Sequence, residues 1–307
     1  YREAARWIEG SMPEAVADLI VQPVDPARIS STITFSALDS LVAGDVEKAF
    51  AQAGKFVLSN AKNFRMEPDV PLVIPEVNGD HLQLIDRQRK ERGWNGAIVT
   101  NANCAATVAA VALAPLEERF GIEQLFLTTM QAVSGAGYPG VPSLDILGNV
   151  IPYIADEEPK LEREMTKLLG RYEDGAVKRA PMRVSSHTNR VAVQHGHTVC
   201  ITASFREKAT SEDAVAALRE WKGNESTLNL PSRPEHPLLV TDEPNRPQPK
   251  RDVDIGAGMT VTVGRVRPDP ILDVRMVALG HNTIRGAAGG SVLNAELLAV
   301  TGRLDSA

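Results

Sequence analysis

Gly96-Ala-Ile-Val-Thr-Asn-Ala-Asn-Cys-Ala-Ala-Thr107 is the stretch from which the rest of the chain is read. Its first half is a β-like run ending at Thr100. Its second half opens a small-residue helix that extends from Cys104 to about Phe120. A thiol therefore stands at a helix N-terminus, where unpaired backbone N–H groups and the positive end of the helix dipole favour thiolate over thiol. The same donors can hold an oxyanion on a carbonyl that the sulfur attacks. A cysteine among alanines also has a plainer reading as a small buried hydrophobe. Residue type favours that reading; position and neighbours bring the nucleophile level with it.

Upstream, strand-like and helix-like pieces alternate. Leu19 to Val24 and Ser31 to Phe35 are β candidates, Gly44 to Ala53 is a helix, and Phe56 to Leu58 is a short β run. Leu72 to Ile74 is apolar between two prolines, and Asp80 to Arg92 is an amphipathic helix. The alternation predicts a mostly parallel sheet covered by helices. Ligands on such sheets sit at the carboxyl ends of strands, so Ser36 to Leu38, Ser59 to Ala61 and Asn101 to Cys104 should share one rim. The first residues, Tyr1 to Ile8, read as part of a helix, with no initiator Met and no resemblance to a signal or transit peptide.

Downstream, Leu125 to Ala132 is strand-like and runs into Ser134-Gly-Ala-Gly-Tyr-Pro-Gly140. The literal GxGxxG at Gly135, Gly137 and Gly140 is not a dinucleotide fingerprint: Pro139 and Pro142 interrupt any following helix, and no acidic residue closes a strand about 20 residues on. A tight loop bringing backbone close to a ligand suits it better. Glu157 to Gly170 is a charged helix with Glu164 and Lys167 on one face, by default a solvated ion pair. Met182 to Ser186 and a run from Arg190 through His197 to Phe205 are extended, Ser211 to Lys222 is helical, and Pro231 to Pro249 reads as a long loop or arm. Thr260 to Val266 and Leu272 to Leu279 are strands, and an apolar helix from about Ser291 to Val300 ends the chain.

Composition bounds the function. The 307 residues suit one large or two medium domains, and 43% hydrophobic content supplies a substantial core. A net charge of −6 argues against a nucleic-acid partner. Two cysteines cannot build a disulfide framework and fit a reducing compartment. His187, His195 and His197 lack partner carboxylates at ligand spacing, so no metal site is expected. The longest apolar run, Ala105 to Ala114, is too short to span a membrane. A soluble cytoplasmic protein is the expectation.

Asn103-Cys104-Ala105, Gln131-Ala-Val-Ser-Gly-Ala-Gly137, Glu164-Met-Thr-Lys167, Arg190 seven residues before His197, and Asn282-Thr-Ile-Arg-Gly-Ala-Ala-Gly289 together resemble aspartate-semialdehyde dehydrogenase, most closely its archaeal and fungal branch. The resemblance covers nearly the whole chain. It implies an α/β fold: a Rossmann-like cofactor domain, here residues 1–103 and 282–307, joined to an α+β catalytic and dimerisation domain, 104–281, in a homodimer or homotetramer. The reaction implied is NADPH-dependent, reversible conversion of L-aspartyl 4-phosphate to L-aspartate 4-semialdehyde and phosphate, on the route to lysine, threonine and methionine. Cys104 would displace phosphate to give a thioester, hydride would give a thiohemiacetal, and collapse would release the aldehyde. His197 would take and return the thiol proton. Gln131 would orient the acyl group, and Asn103 flanks the nucleophile. Arg190 would grip the substrate carboxylate in a bidentate fork, Glu164 the ammonium, and Arg65 and Lys167 the phosphate. Ser36, Leu38, Ser134, Gly135 and Asn282 resemble NADP contacts. On a single extended segment, seven residues would aim Arg190 and His197 at opposite faces, so a turn or bulge at Gln194 to Gly196 is required.

The family's usual opening strand and Gly-rich turn, GxTGxVGQ, would occupy about fifty residues before Tyr1 and cradle the pyrophosphate. The sequence as given is expected to be a piece lacking that segment, with weak NADPH binding and little dehydrogenase activity. Three other readings stand beside the first: an N-acetyl-glutamyl-phosphate reductase, a cysteine hydrolase that consumes no NADPH, and a non-enzymatic scaffold or partner subunit. Glu164 and Arg190, suited to a free amino acid, argue against the first of these.

Overall fold

The computed structural model describes residue 7 and residues 11–304. The helix expected over Tyr1 to Ile8 thus lies, Trp7 apart, outside the described residues.

Four parallel strands make the first sheet: β1 (Ile33–Ser36), β2 (Phe56–Ser59), β3 (Leu72–Val73) and β4 (Ala97–Asn101), in the order β1-β2-β4-β3. All five residues of β4 are buried, as a parallel strand covered on both faces requires. The register sets Ser36 beside Ser59 and Ser59 beside Thr100, so the expected shared rim of carboxyl ends is present. Helix α1 (Ser40–Gln52) starts four residues before the expected Gly44 because the Asp39 side chain accepts the Leu41 N–H. The helix expected from Asp80 is divided into a 3₁₀ turn, Gly79–Gln83, and α2 (Leu84–Arg92). His81, in that turn, is buried against Asn78 and the Gly170 carbonyl. Leu19 to Val24 forms no strand. Leu19, Ile20, Val21 and Val24 are all exposed, so no buried face specifies a register, and Pro23 has no N–H for a ladder.

Helix α3 (Cys104–Phe120) has the expected bounds. Asn103 Oδ1 accepts the N–H groups of Ala105 and Ala106, and Gly121, at φ 64°, ends it. Its alanines let it lie close on a second, seven-stranded sheet. That sheet comprises β5 (Ile122–Gln131) and β6 (Val150–Ile151) and, past a separate hairpin of β7 (Arg171–Glu173) and β8 (Ala176–Lys178), β9 (Arg183–Val191), β10 (His197–Phe205), β11 (Leu238–Thr241), β12 (Val261–Pro268) and β13 (Val274–Gly280). The order is β11-β12-β13-β10-β5-β9-β6. Leu113, Leu116, Leu127, Val199 and Ile201 share a core with Leu161 and Met165 of α4 (Glu157–Leu168) and Leu218 of α5 (Ser211–Glu220). The stretch Pro231 to Pro249 is not wholly a loop: it contains β11, which its flanking prolines suit to the sheet edge it occupies.

Arg190 and His197 lie on different strands. Arg190 belongs to β9 and His197 opens β10, with Gly196 at φ 99° in the turn between them, where the seven-residue interval required one. Both strands pair with β5, so the two side chains come to the end of that strand from opposite sides, Gln131 beside Arg190 and Met130 beside Thr198.

The chain returns to the first sheet through one π-helical turn, Ile284–Ala288, and α6 (Gly289–Val300), whose Leu293, Leu297 and Leu298 pack on Phe56, Leu58 and Val99. The turn presses on α3: a Cβ at Gly286 would come within 2.6 Å of Cys104 Cβ. Arg285 is buried in it and makes a two-pronged pair with Glu76, at 2.7 and 2.8 Å. No helix among the described residues is long and apolar enough to cross a membrane.

Glu76→Gln would leave the Arg285 cation buried without its counter-charge and should cost about 3–5 kcal/mol in urea unfolding, whereas exchanging both residues for apolar ones of similar volume should recover most of it. Equal losses for the single and double changes would contradict this.

Candidate active site

Cys104 Sγ lies 3.1 Å from His197 Nε2. Helix α3 supplies the thiol at its first turn and β10 the imidazole at its first residue. The donors expected to be open at this helix start are partly committed, since Asn103 Oδ1 already takes the N–H groups of Ala105 and Ala106. The thiol is pushed up to about 12, first by burial and next by the Glu157 carboxylate. Arg65, the Ala105 amide and Arg190 pull it the other way. His197 is fully buried and falls to about 3, through burial first and then the neighbouring Arg190 and His281, which oppose a further proton on the ring. At neutral pH and without ligand, both members of the pair are neutral. Two glycines form the walls: Gly286 against Cys104, and Gly135, where a Cβ would meet Arg190 Nη1 at 2.8 Å and His197 Cε1 at 2.9 Å.

Two amides converge on the Glu157 carboxylate, whose charge acts on the thiol. Gln131 Nε2 and Asn103 Nδ2 both donate to Glu157 Oε1, at 3.0 and 2.7 Å. The nearest cation to Glu157 Oε2 in an ion pair is Lys160 Nζ at 4.0 Å. Glu157 was not singled out in the sequence, where an acid in the first turn of a helix reads as a dipole complement. Glu164, the expected ammonium ligand, has both oxygens engaged: Oε1 with Arg65 Nη1 at 2.9 Å and Oε2 with the Asn103 N–H at 2.6 Å. Arg65 also donates to the Asn60 carbonyl.

Lys167 departs further from expectation. Its ammonium donates to the carbonyls of Arg65, Glu67 and Val70 at 2.7–2.8 Å, which accounts for its three N–H bonds, and burial brings it down to about 8. It holds the loop that carries Arg65. Arg190 Nη1 donates to the Ala132 carbonyl at 2.8 Å, beside the thiol–imidazole pair.

Two family models match this chain: "Semialdehyde dehydrogenase, NAD binding domain" over residues 2–85 and "Semialdehyde dehydrogenase, dimerisation domain" over residues 113–285. An aspartate-semialdehyde dehydrogenase of Archaeoglobus fulgidus is 48% identical over 299 residues, 97% of this chain and 86% of that protein. The chain belongs to the aspartate-semialdehyde dehydrogenase family. The structure of the Candida albicans aspartate-semialdehyde dehydrogenase with NADP matches with a TM-score of 0.90 at 42% identity, covering 99% of this chain and 88% of that one. The same likeness extends to a protein named malonyl CoA reductase (NADP) from Metallosphaera sedula, 40% identical over 99% of this chain and 87% of that protein.

The NAD-binding family model makes a nicotinamide dinucleotide the cofactor to test against the residues. The expected contacts fall into two groups. Ser36 and Leu38 line a cavity of about 190 Å³ with Phe35, Val46, Glu47, Phe50 and Val57, and Glu47 Oε2 is buried without a hydrogen-bond partner among the described residues. That volume suits one portion of a dinucleotide. Ser134, Gly135 and Asn282 lie beside the thiol–imidazole pair: Asn282 Nδ2 donates to Ser134 Oγ at 2.8 Å, and Asn282 Oδ1 accepts the Gly196 N–H. Apolar walls at one place and small polar loops beside the thiol fit a cofactor that reaches from the first sheet to the nucleophile.

The charge placement has a measurable consequence. Glu157→Gln removes an anion that opposes ionisation of the thiol, so the pH at which Cys104 alkylation accelerates should move downward; an unchanged or higher inflection would contradict this.

Proposed function

We propose that this chain is an NADP-dependent aspartate-semialdehyde dehydrogenase, an oxidoreductase converting L-aspartyl 4-phosphate to L-aspartate 4-semialdehyde with release of phosphate, in lysine, threonine and methionine biosynthesis. The observation that carries the reading is a helix-terminal thiol 3.1 Å from a buried imidazole, with Arg190 and Glu157 beside it. The sulfur of Cys104 passes its proton to His197 as it attacks the acyl carbon and phosphate leaves, and the ring returns that proton when sulfur is later expelled. NADPH, when bound, supplies the hydride that reduces the thioester carbon. Sulfur is then expelled as the carbonyl re-forms.

The substrate is an amino acid, and the site offers a cation for its carboxylate and an anion for its ammonium. Arg190 takes the first. For the ammonium we assign Glu157 rather than Glu164, since Glu164 is occupied by Arg65 and the Asn103 amide. An ammonium on Glu157 also neutralises the charge that raises the thiol, so binding and activation of the nucleophile are coupled. Asn103 and Gln131 orient that carboxylate and the acyl group. Arg65 faces the phosphate, and Lys167 keeps its loop in place.

We assign residues 1–103 and 282–307 to the cofactor unit and 104–281 to the catalytic and dimerisation unit. The family-model boundaries and the return of α6 to the first sheet support this division. A cytoplasmic homodimer or homotetramer completes the proposal.

Phosphate-dependent NADPH formation from aspartate semialdehyde, measured on the full-length protein, is the test. Cys104→Ser should lower kcat by about 10³-fold or more, and Glu157→Gln should raise KM for the semialdehyde more than KM for phosphate. Turnover of malonyl-CoA with none of aspartate semialdehyde would replace the substrate assigned here.

A further inference from the structure

Arg65 is held at both ends, and one of its holders has no part in the chemistry described so far. Its backbone carbonyl accepts the Lys167 ammonium at 2.8 Å. Its guanidinium is gripped by the Glu164 carboxylate, 2.9 Å from Nη1, and by the Asn60 carbonyl, 2.7 Å from Nη2. A planar fork anchored at two of its nitrogens cannot turn. Donors remain on it: Nε is buried and has no hydrogen-bond partner among the described residues. A buried guanidinium with an uncommitted N–H suits an oxyanion. We propose that Asn60 is a positioning residue of the phosphate site, whose carbonyl, held by a relay of amides reaching from α6, fixes the plane of the Arg65 guanidinium for phosphate. This deepens the reading given under the proposed function and rests on it for the phosphate.

The relay runs in one sense. Asn294 of α6 donates Nδ2 to the Val73 carbonyl at 3.3 Å and to Asn101 Oδ1 at 2.7 Å. A carbonyl can only accept, so Val73 fixes which end of the Asn294 amide faces it. Asn101 Oδ1 being filled, Asn101 Nδ2 faces Asn60 Oδ1 at 2.8 Å and also donates to Ser291 Oγ. That leaves Asn60 Nδ2 for Ser291 Oγ, at 3.2 Å. The backbone of Asn60 is fixed as well. Its N–H donates to the Ser36 carbonyl at 2.9 Å, and the Ala61 N–H, which shares a peptide plane with the Asn60 carbonyl, donates to Ser59 Oγ at 3.1 Å. Asn101, Ser291 and Asn294 are buried, so these bonds are sheltered from water.

Glu164 alone would not aim the cation. One contact leaves the guanidinium free to swing about Nη1, and a second carboxylate in place of the carbonyl would repel an incoming phosphate. A neutral carbonyl orients the fork without adding negative charge, so phosphate meets a cation that needs no ordering when it binds. Because Asn101 ends the strand that leads into Cys104, the same relay also fixes the approach to the nucleophile. The last helix of the chain thus bears on the reaction without touching the reacting atoms.

Titration calorimetry with inorganic phosphate on the full-length protein reads the site without turnover. Asn60→Ala should weaken phosphate about tenfold and NADP by far less. Ser291→Ala, which removes only the far end of the relay, should weaken phosphate by a smaller factor, and it carries the test should Asn60→Ala not fold. In an Arg65→Gln background, where the group being positioned is gone, either change should add less than about twofold. Unchanged phosphate affinity in both variants, equal losses for phosphate and NADP, or the full loss retained beside Arg65→Gln would each overturn the proposal. If Arg65→Gln alone leaves phosphate affinity unaltered, the phosphate assignment of Arg65 falls and this inference with it. Turnover of aspartate semialdehyde is measured separately, and its absence beside the expected phosphate pattern would count against the substrate assignment alone.

Discussion

Asn103 is the residue through which the site is held together. Its Oδ1 closes the first turn of the helix that carries the nucleophile, its Nδ2 goes to Glu157, and its backbone N–H goes to Glu164. One residue thus ties the end of β4, an inner strand of the first sheet, to the start of α3 and the charged helix α4. Because Cys104 follows immediately, the direction of the thiol is determined by a cap and two buried carboxylates. Loss of any one of these bonds would leave a buried acceptor or donor unpaired, so the arrangement is far more cooperative than a single cap.

The electrostatics of the site are those of a resting nucleophile. Burial and Glu157 hold the thiol neutral, and burial with Arg190 holds the imidazole neutral. A thiolate exposed at all times would be open to oxidation and to stray electrophiles. On the assignment of the substrate ammonium proposed above, a carboxylate that suppresses ionisation until a cation arrives couples reactivity to occupancy and uses the same group to recognise the ligand.

Much of this was legible in the residues. The bounds of α3 follow from an alanine-rich apolar run with an asparagine before it and a glycine after it. The parallel sheet follows from alternating pieces, and the turn between Arg190 and His197 from the spacing of two side chains that must converge. What stayed hidden has physical reasons. Glu157 sits where any helix welcomes an acid, so its role is visible only from the amides that converge on it. Lys167 is spent on backbone carbonyls, acceptors that every residue possesses and that leave no trace in a pattern of side chains. The β11 strand was masked by the prolines that confine it to an edge. The exposed apolar run at Leu19 to Val24 has strand-like composition without a partner face, and composition cannot supply one.

The glycine walls constrain how such a site can change over time. With Gly286 against the sulfur's own Cβ and Gly135 against the imidazole and guanidinium, the reacting pair is clasped by bare backbone on two sides. Bulk cannot be added there without moving the nucleophile, so drift toward other acyl groups has to proceed by exchanging charges at its rim, at positions such as Glu157 and Arg190. A chain of this kind is conservative in the atoms that react and permissive in what it admits to them.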